Sequence, residues 1–174
     1  KLNQGAQTIA IGSEAGRDDQ SANGIALGHE AGRADQADFG IAIGEKSGNS
    51  NQGIRGIAIG RSSGKTDQGT KAVAIGDAAG YATQGAGAIA IGDLAGETNQ
   101  AANSIVINAS GTALNNTTAS SLVIKPIRNA VGTTMLMYDA TSGEVTHSGN
   151  VTLGGDLDVG GNSIVSASNG AINI

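Results

Sequence analysis

The sequence has no cysteine, no tryptophan and one proline, and only three aromatic residues, Phe39, Tyr81 and Tyr138, among 174. Without cysteine there is neither a disulfide framework nor a thiolate metal site. Three scattered rings leave little bulky material for a three-dimensional core, and a poor platform for stacking a sugar. Positive charge is also short: ten Lys and Arg against fifteen Asp and Glu give a formal net charge of −5, and no basic run occurs. Binding nucleic acid or an anionic membrane surface needs clustered cations, so both partners are excluded. No apolar run approaches the roughly 20 residues that span a bilayer, which argues against membrane insertion, and Lys1 opens no recognisable signal peptide.

Glycine and small aliphatics are abundant. Glycine occurs 29 times and hydrophobic residues make up 39% of the chain, so the sequence is not that of a polar disordered segment. The stretch VAIGDAAGYATQGAGAIAIGDLAGETNQ, residues 73–100, states one phrase twice. The first aliphatic of the phrase falls at Ile9, Ile25, Ile41, Ile57, Val73, Ile89 and Ile105, sixteen residues apart each time, and the second at Ile11, Leu27, Ile43, Ile59, Ile75, Ile91 and Ile107. Glycine follows at Gly12, Gly28, Gly44, Gly60, Gly76 and Gly92, and Asn108 in the seventh place marks the expected end of the array. A second glycine recurs four residues on, then a glutamine at Gln20, Gln36, Gln52, Gln68, Gln84 and Gln100, with Gln4 in phase upstream.

Aliphatic, alanine, aliphatic is the alternation of a β-strand. A sixteen-residue unit with one clear strand and glycine turns has the length of one coil of a parallel β-solenoid, whose strands stack about 4.8 Å apart. If Ile9, Ile11 and their equivalents form the coil core, then Ala10, Ala26, Ala42, Ala58, Ala74, Ala90 and Val106 face outward. A solvated position would drift among polar residues, so an invariant alanine there implies a packed partner, most economically other copies of the chain in a homotrimer. On this reading a lysine at Ala58 or Ala74 breaks the assembly. The glutamines are expected to stack as an amide ladder along the array.

With these residues in place, TIAIGSEAG, GIAIGEKSG and AIAIGDLAG resemble the repeats of YadA-like heads, found in trimeric autotransporter adhesins and in virus and phage fibres. The resemblance covers about Gln4 to Ser110. It implies a left-handed parallel β-roll in each chain and three rolls per trimer. The following segment, SIVINASGTALNNTTASSLVIKPIRNAVGTTMLMYDATSGEVTHSG, resembles one found in tail-fibre-like proteins, and GNVTLGGDLDVGGNSI resembles a fibre-shaft phrase. In residue terms, Ser121 to Ile124 is a short strand that Pro126 ends, and Met135–Tyr138 with Glu144–His147 reads as a β-hairpin around a loop bearing Gly143. Met135, Met137 and Val145 are candidates for the bulky core that the repeats lack. The fold class is therefore all-β, with solenoid repeats over 1–108, a β connector over 109–149 and a glycine-rich triple-stranded shaft beginning at 150–174. Both ends read as cut from something longer.

Candidate chemistry is sparse. His29 and His147 are isolated, no serine has a base at a readable spacing, and Asp18, Asp19, Asp35, Asp67, Asp77 and Asp93 share their turn positions with Asn, Ser, Thr and Ala. No catalytic residue, metal ligand or cofactor is expected, and the chain reads as a non-enzyme. The resemblance implies a trimeric fibre segment on a virion surface or tail fibre, spacing a receptor-binding element from the particle, with any receptor or glycan bound outside residues 1–174. The competing expectation is a bacterial adhesin head on the outer cell surface that grips its host directly.

Overall fold

The computed structural model describes residues 2–127 and 135–148 and has no helix among them. Each repeat contributes two three-residue strands, so the array makes two parallel sheets. The glutamine-bearing sheet stacks β1 (Leu2–Gln4), β3 (Asp18–Gln20), β5 (Ala34–Gln36), β7 (Ser50–Gln52), β9 (Thr66–Gln68), β11 (Ala82–Gln84) and β13 (Thr98–Gln100) in that order. The aliphatic sheet stacks β2 (Ile9–Ile11), β4 (Ile25–Leu27), β6 (Ile41–Ile43), β8 (Ile57–Ile59), β10 (Val73–Ile75), β12 (Ile89–Ile91), β14 (Ile105–Asn108) and β15 (Leu122–Lys125). The result is a parallel β-solenoid of about eight coils. Register is kept without slippage: Ala42 pairs with Ala58, Ala58 with Ala74, and Gln52 with Gln68.

The two strand types differ in backbone. In the aliphatic sheet all three residues pair; in the glutamine sheet only the first and third do, as in Ser50↔Thr66 and Gln52↔Gln68. The central residue there is left-handed, with φ of 49° to 57° at Asn3, Asp19, Asp35, Asn51, Asp67, Thr83 and Asn99. Asn and Asp tolerate that conformation best among residues with a side chain, which accounts for six of the seven occupants. Glycine is required twice per coil. A Cβ on Gly44 would stand 2.6 Å from the Gly60 carbonyl oxygen, so this corner closes only where backbone meets backbone. Gly48 has φ of 49°, and a Cβ there would lie 2.8 Å from Gln52 Cδ, inside the space that the glutamine occupies.

The array runs one rung beyond the expected end at Asn108. β15 pairs with β14 through Ile105↔Leu122 and Ile107↔Ile124, and the strand stops at Lys125, before Pro126. Asn108 turns its amide onto the Asp93 and Thr112 carbonyls at 2.7 and 2.8 Å, and Asn116, in the glutamine phase, bonds Ser121 Oγ at 2.9 Å. Asn108 thus ties its loop to the preceding coil, while Asn116 serves the last coil's own loop. The first compact unit of the chain extends to Ile127.

In the second unit, β16 (Met135–Tyr138) and β17 (Val145–Ser148) form a two-stranded antiparallel sheet with Leu136 opposite His147. The Asp139 carboxylate closes the turn by accepting the Thr141 and Ser142 N–H groups, and Gly143 takes φ of 74°. Met137 and Val145 are exposed, so they form no core within this unit. The expected shaft over 150–174 lies outside the described residues.

Thr83 is the β-branched exception in the left-handed column. Thr83→Asn is expected to raise stability by about 0.5–1 kcal/mol, measured as the urea midpoint at unchanged slope; a lower midpoint would contradict the strain assignment.

Candidate functional site

The decisive geometry is the direction in which each rung presents its side chains. Ala26, Ala42, Ala58, Ala74, Ala90 and Val106 are fully buried, and Ala10, in the first coil, is half-buried. They point into the coil: the position a Cβ would take on Gly48 lies 3.1 Å from Ala42 Cβ. The flanking aliphatics lie outside. Ile9, Ile11, Leu27, Ile75, Ile91 and Ile107 are exposed, and Ile25, Ile41, Ile43, Ile57, Ile59, Val73, Ile89 and Ile105 are half-buried. The expected phase is thus reversed. The alanines cannot form an interface between chains, and the aliphatics do not fill the coil.

The physical reason is the width of the coil. The largest fully buried side chains include Gln20, Gln36, Gln52, Gln68 and Gln84. Gln52 Nε2 spans from one sheet to the other, donating to the Ile41 carbonyl at 2.8 Å, and it also bonds the Gly56 carbonyl and Gln68 Oε1 at 3.2 and 3.1 Å. Gln36, Gln68 and Gln84 repeat the pattern, and Gln100 makes its two carbonyl contacts. A gap that one amide bridges leaves room for a methyl opposite it, not for isoleucine. Ala15, Ala31, Ala79 and Ala95, with Ser47 and Ser63 in the same column, complete the small interior.

The amide ladder has one break. Gln4 donates to Gln20 at 2.9 Å, but Gln20 donates to the Ile9 carbonyl alone and Gln36 Oε1 is buried without a hydrogen bond. At that level the coils carry an ion-pair network instead. Arg17 bonds Glu14 and Asp18 at 2.8 Å each, while Arg33 reaches Glu30 at 3.3 Å and Glu14 at 3.7 Å. The Arg17 hydrogen bond holds the Asp18 carboxyl below its ordinary range against partial desolvation. Desolvation pushes Glu30 up, but Arg33, Lys46 and His29 together bring it below its ordinary range.

No group of three or more His, Asp or Glu able to hold a metal ion occurs among the described residues. His29 reaches only Glu30, at 3.5 Å, and His147 lies on β17. What remains is the outer face of the aliphatic sheet. Its two columns run from Ile9 to Leu122 and from Ile11 to Ile124, sixteen aliphatic residues on eight strands with no polar interruption. Seven steps of about 4.8 Å make the face roughly 34 Å long. Contiguous apolar surface on that scale marks an interaction site. The sequence carried the signal in the invariance of both columns. No protein-family model, curated protein or solved structure matches this chain.

Two predictions follow from the interior. Gln68→Leu removes the amide that links Gln52 to Gln84 and is expected to lose about 1–3 kcal/mol in chemical denaturation, whereas Asp93→Ser, exposed and at a position where other coils carry Ser, His, Glu, Arg or Asp, changes stability by less than about 0.5 kcal/mol. Because Asp18 and Glu30 have lowered folded-state values, their stabilisation is complete above the ordinary carboxylate range and lost as pH falls through the lowered values. Amide protection factors, taken relative to the intrinsic exchange rate at each pH, should therefore fall on acidification more in the first two coils than in coils five and six; a uniform fall would contradict this.

Proposed function

We propose that this chain is a structural segment of a virus or phage fibre, a rigid homotrimeric spacer that holds a receptor-binding element away from the particle. The observation that carries the reading is the unbroken aliphatic face. Presenting sixteen aliphatic residues in two columns to water costs free energy unless another surface covers them. Covering them with copies around an axis parallel to the array aligns equal rungs, since every copy has the same sixteen-residue period. The number three comes from the resemblance to YadA-like heads, and so does placement on a virion surface or tail fibre.

Stiffness is the mechanism. Each coil touches only its neighbours and the copies beside it, so bending the rod breaks ladders on two sheets at once. In this reading the sheet of β16 and β17 belongs to a connector and residues 150–174 begin a triple-stranded shaft. A two-stranded sheet is marginal by itself, which supports pairing it with the same element of other chains.

Two substitutions one residue apart test the interface. Ile59→Lys, on the outer face, is expected to leave the strand signal in circular dichroism intact and reduce the assembly to monomers in sedimentation equilibrium. Ala58→Lys places its charge inside the coil and is expected to unfold it. A folded, fully assembled Ile59→Lys protein would overturn the assigned interface, and labelling of particles with antibodies against this segment that left the fibres unstained would overturn its location.

A further inference from the structure

The outer face has an edge with a feature that the repeat does not demand. The turn entering each aliphatic strand holds one left-handed residue, and its occupants are Gln7, Asn23, Phe39, Arg55, Lys71, Gly87, Asn103 and Ser120. Phe39 stands out. A bulky side chain at φ of 60° is strained, yet the ring is 48% exposed, so no burial within the coil offsets that strain. Hydrogen bonds fix the turn: the Phe39 N–H donates to the Ala22 carbonyl at 3.1 Å, and Asp38 Oδ1 accepts the Ala22 N–H at 3.0 Å. The Arg55 guanidinium lies 5.5 Å from the ring centroid, and Ile54 beside it is 43% exposed. Among the described residues no carboxylate lies within ion-pair distance of Arg55. Aromatic and arginine side chains grouped in this way are what the centres of protein interfaces use.

We infer that Phe39, Ile54 and Arg55 anchor the contact between neighbouring copies, gripping the opposite edge of the next chain's aliphatic sheet. This rests on the self-association proposed above. In a cyclic assembly whose axis runs along the array, the entering edge of one sheet meets the leaving edge of the next at equal height. Phe39 stands two residues before Ile41 and Glu45 two residues after Ile43 on the same rung, so the neighbour's Glu45 lies level with the Phe39 ring, over which the Arg55 guanidinium leans from the next rung. Glu45 is free to respond, with a single long contact to Lys46 Nζ at 3.8 Å, while Arg61 on the same edge is already held by Asp77 at 2.6 Å. Charge complementarity therefore favours a second copy as the occupant.

The test compares wild-type protein with Phe39→Asn, Arg55→Glu and the double variant Arg55→Glu/Glu45→Arg by sedimentation equilibrium and urea unfolding. Asn suits the left-handed turn, so Phe39→Asn keeps the coil folded and relieves its strain. The expected result is self-association weakened at least about tenfold by Phe39→Asn and by Arg55→Glu, with the double variant recovering most of the loss. Unchanged association of Phe39→Asn, or no recovery in the double variant, overturns the anchor. A wild-type protein that is monomeric at every concentration overturns the self-association beneath it, which separates the two failures.

Discussion

A glutamine amide crossing a narrow coil is the interaction on which the rest of this structure depends. Each buried amide joins the two sheets through a carbonyl on the opposite strand and, at most rungs, joins its coil to the next. Every other position in the repeat accommodates it. Gly48 and its equivalents leave the space it fills, the alanines opposite supply the one size of side chain that fits, and Gly44 and its equivalents close the corner. In the low dielectric of such an interior a satisfied amide network rigidifies the array, and an unsatisfied one destabilises it.

Filling the coil with amides and methyls moves the hydrocarbon outward. A conventional domain hides isoleucine and displays glutamine; the coils from Gln20 to Gln100 do the opposite. In the proposed assembly the aliphatic face becomes the core between chains and the coil interior a dry polar strut. This is where the structure supports the proposed role: covering the isoleucines with neighbouring copies is what a fibre component would do.

Much of the fold was legible in the sequence. The sixteen-residue period, the strand alternation, the glycine corners and the sequence positions of β16 and β17 all follow from spacing and residue type. The direction of the aliphatic strand did not follow. Alternation places Ile41 and Ala42 on opposite faces without saying which face is inside, and the rule that large aliphatics face inward decided wrongly because it took one chain as the burying unit. The correct cue was volume: from Ala15 to Gln100 each coil repeats a small residue, a glycine and a glutamine, as in Ser47, Gly48 and Gln52, and together with isoleucine they exceed what one coil can hold. The second strand was missed because its central residue is left-handed, so Ser50-Asn51-Gln52 reads as a turn. The last rung was missed because its spacing stretches from sixteen residues to seventeen, from Ile105 to Leu122.

Side-chain amide exchange, followed by nuclear magnetic resonance on the glutamine Nε2 protons, tests the central claim most directly. Gln52, Gln68 and Gln84 should exchange orders of magnitude more slowly than the exposed amides of Asn99 and Asn103, because their protons are held by carbonyls inside the coil. Exchange of these glutamines as fast as Asn99 would place them in solvent and contradict the amide-braced interior.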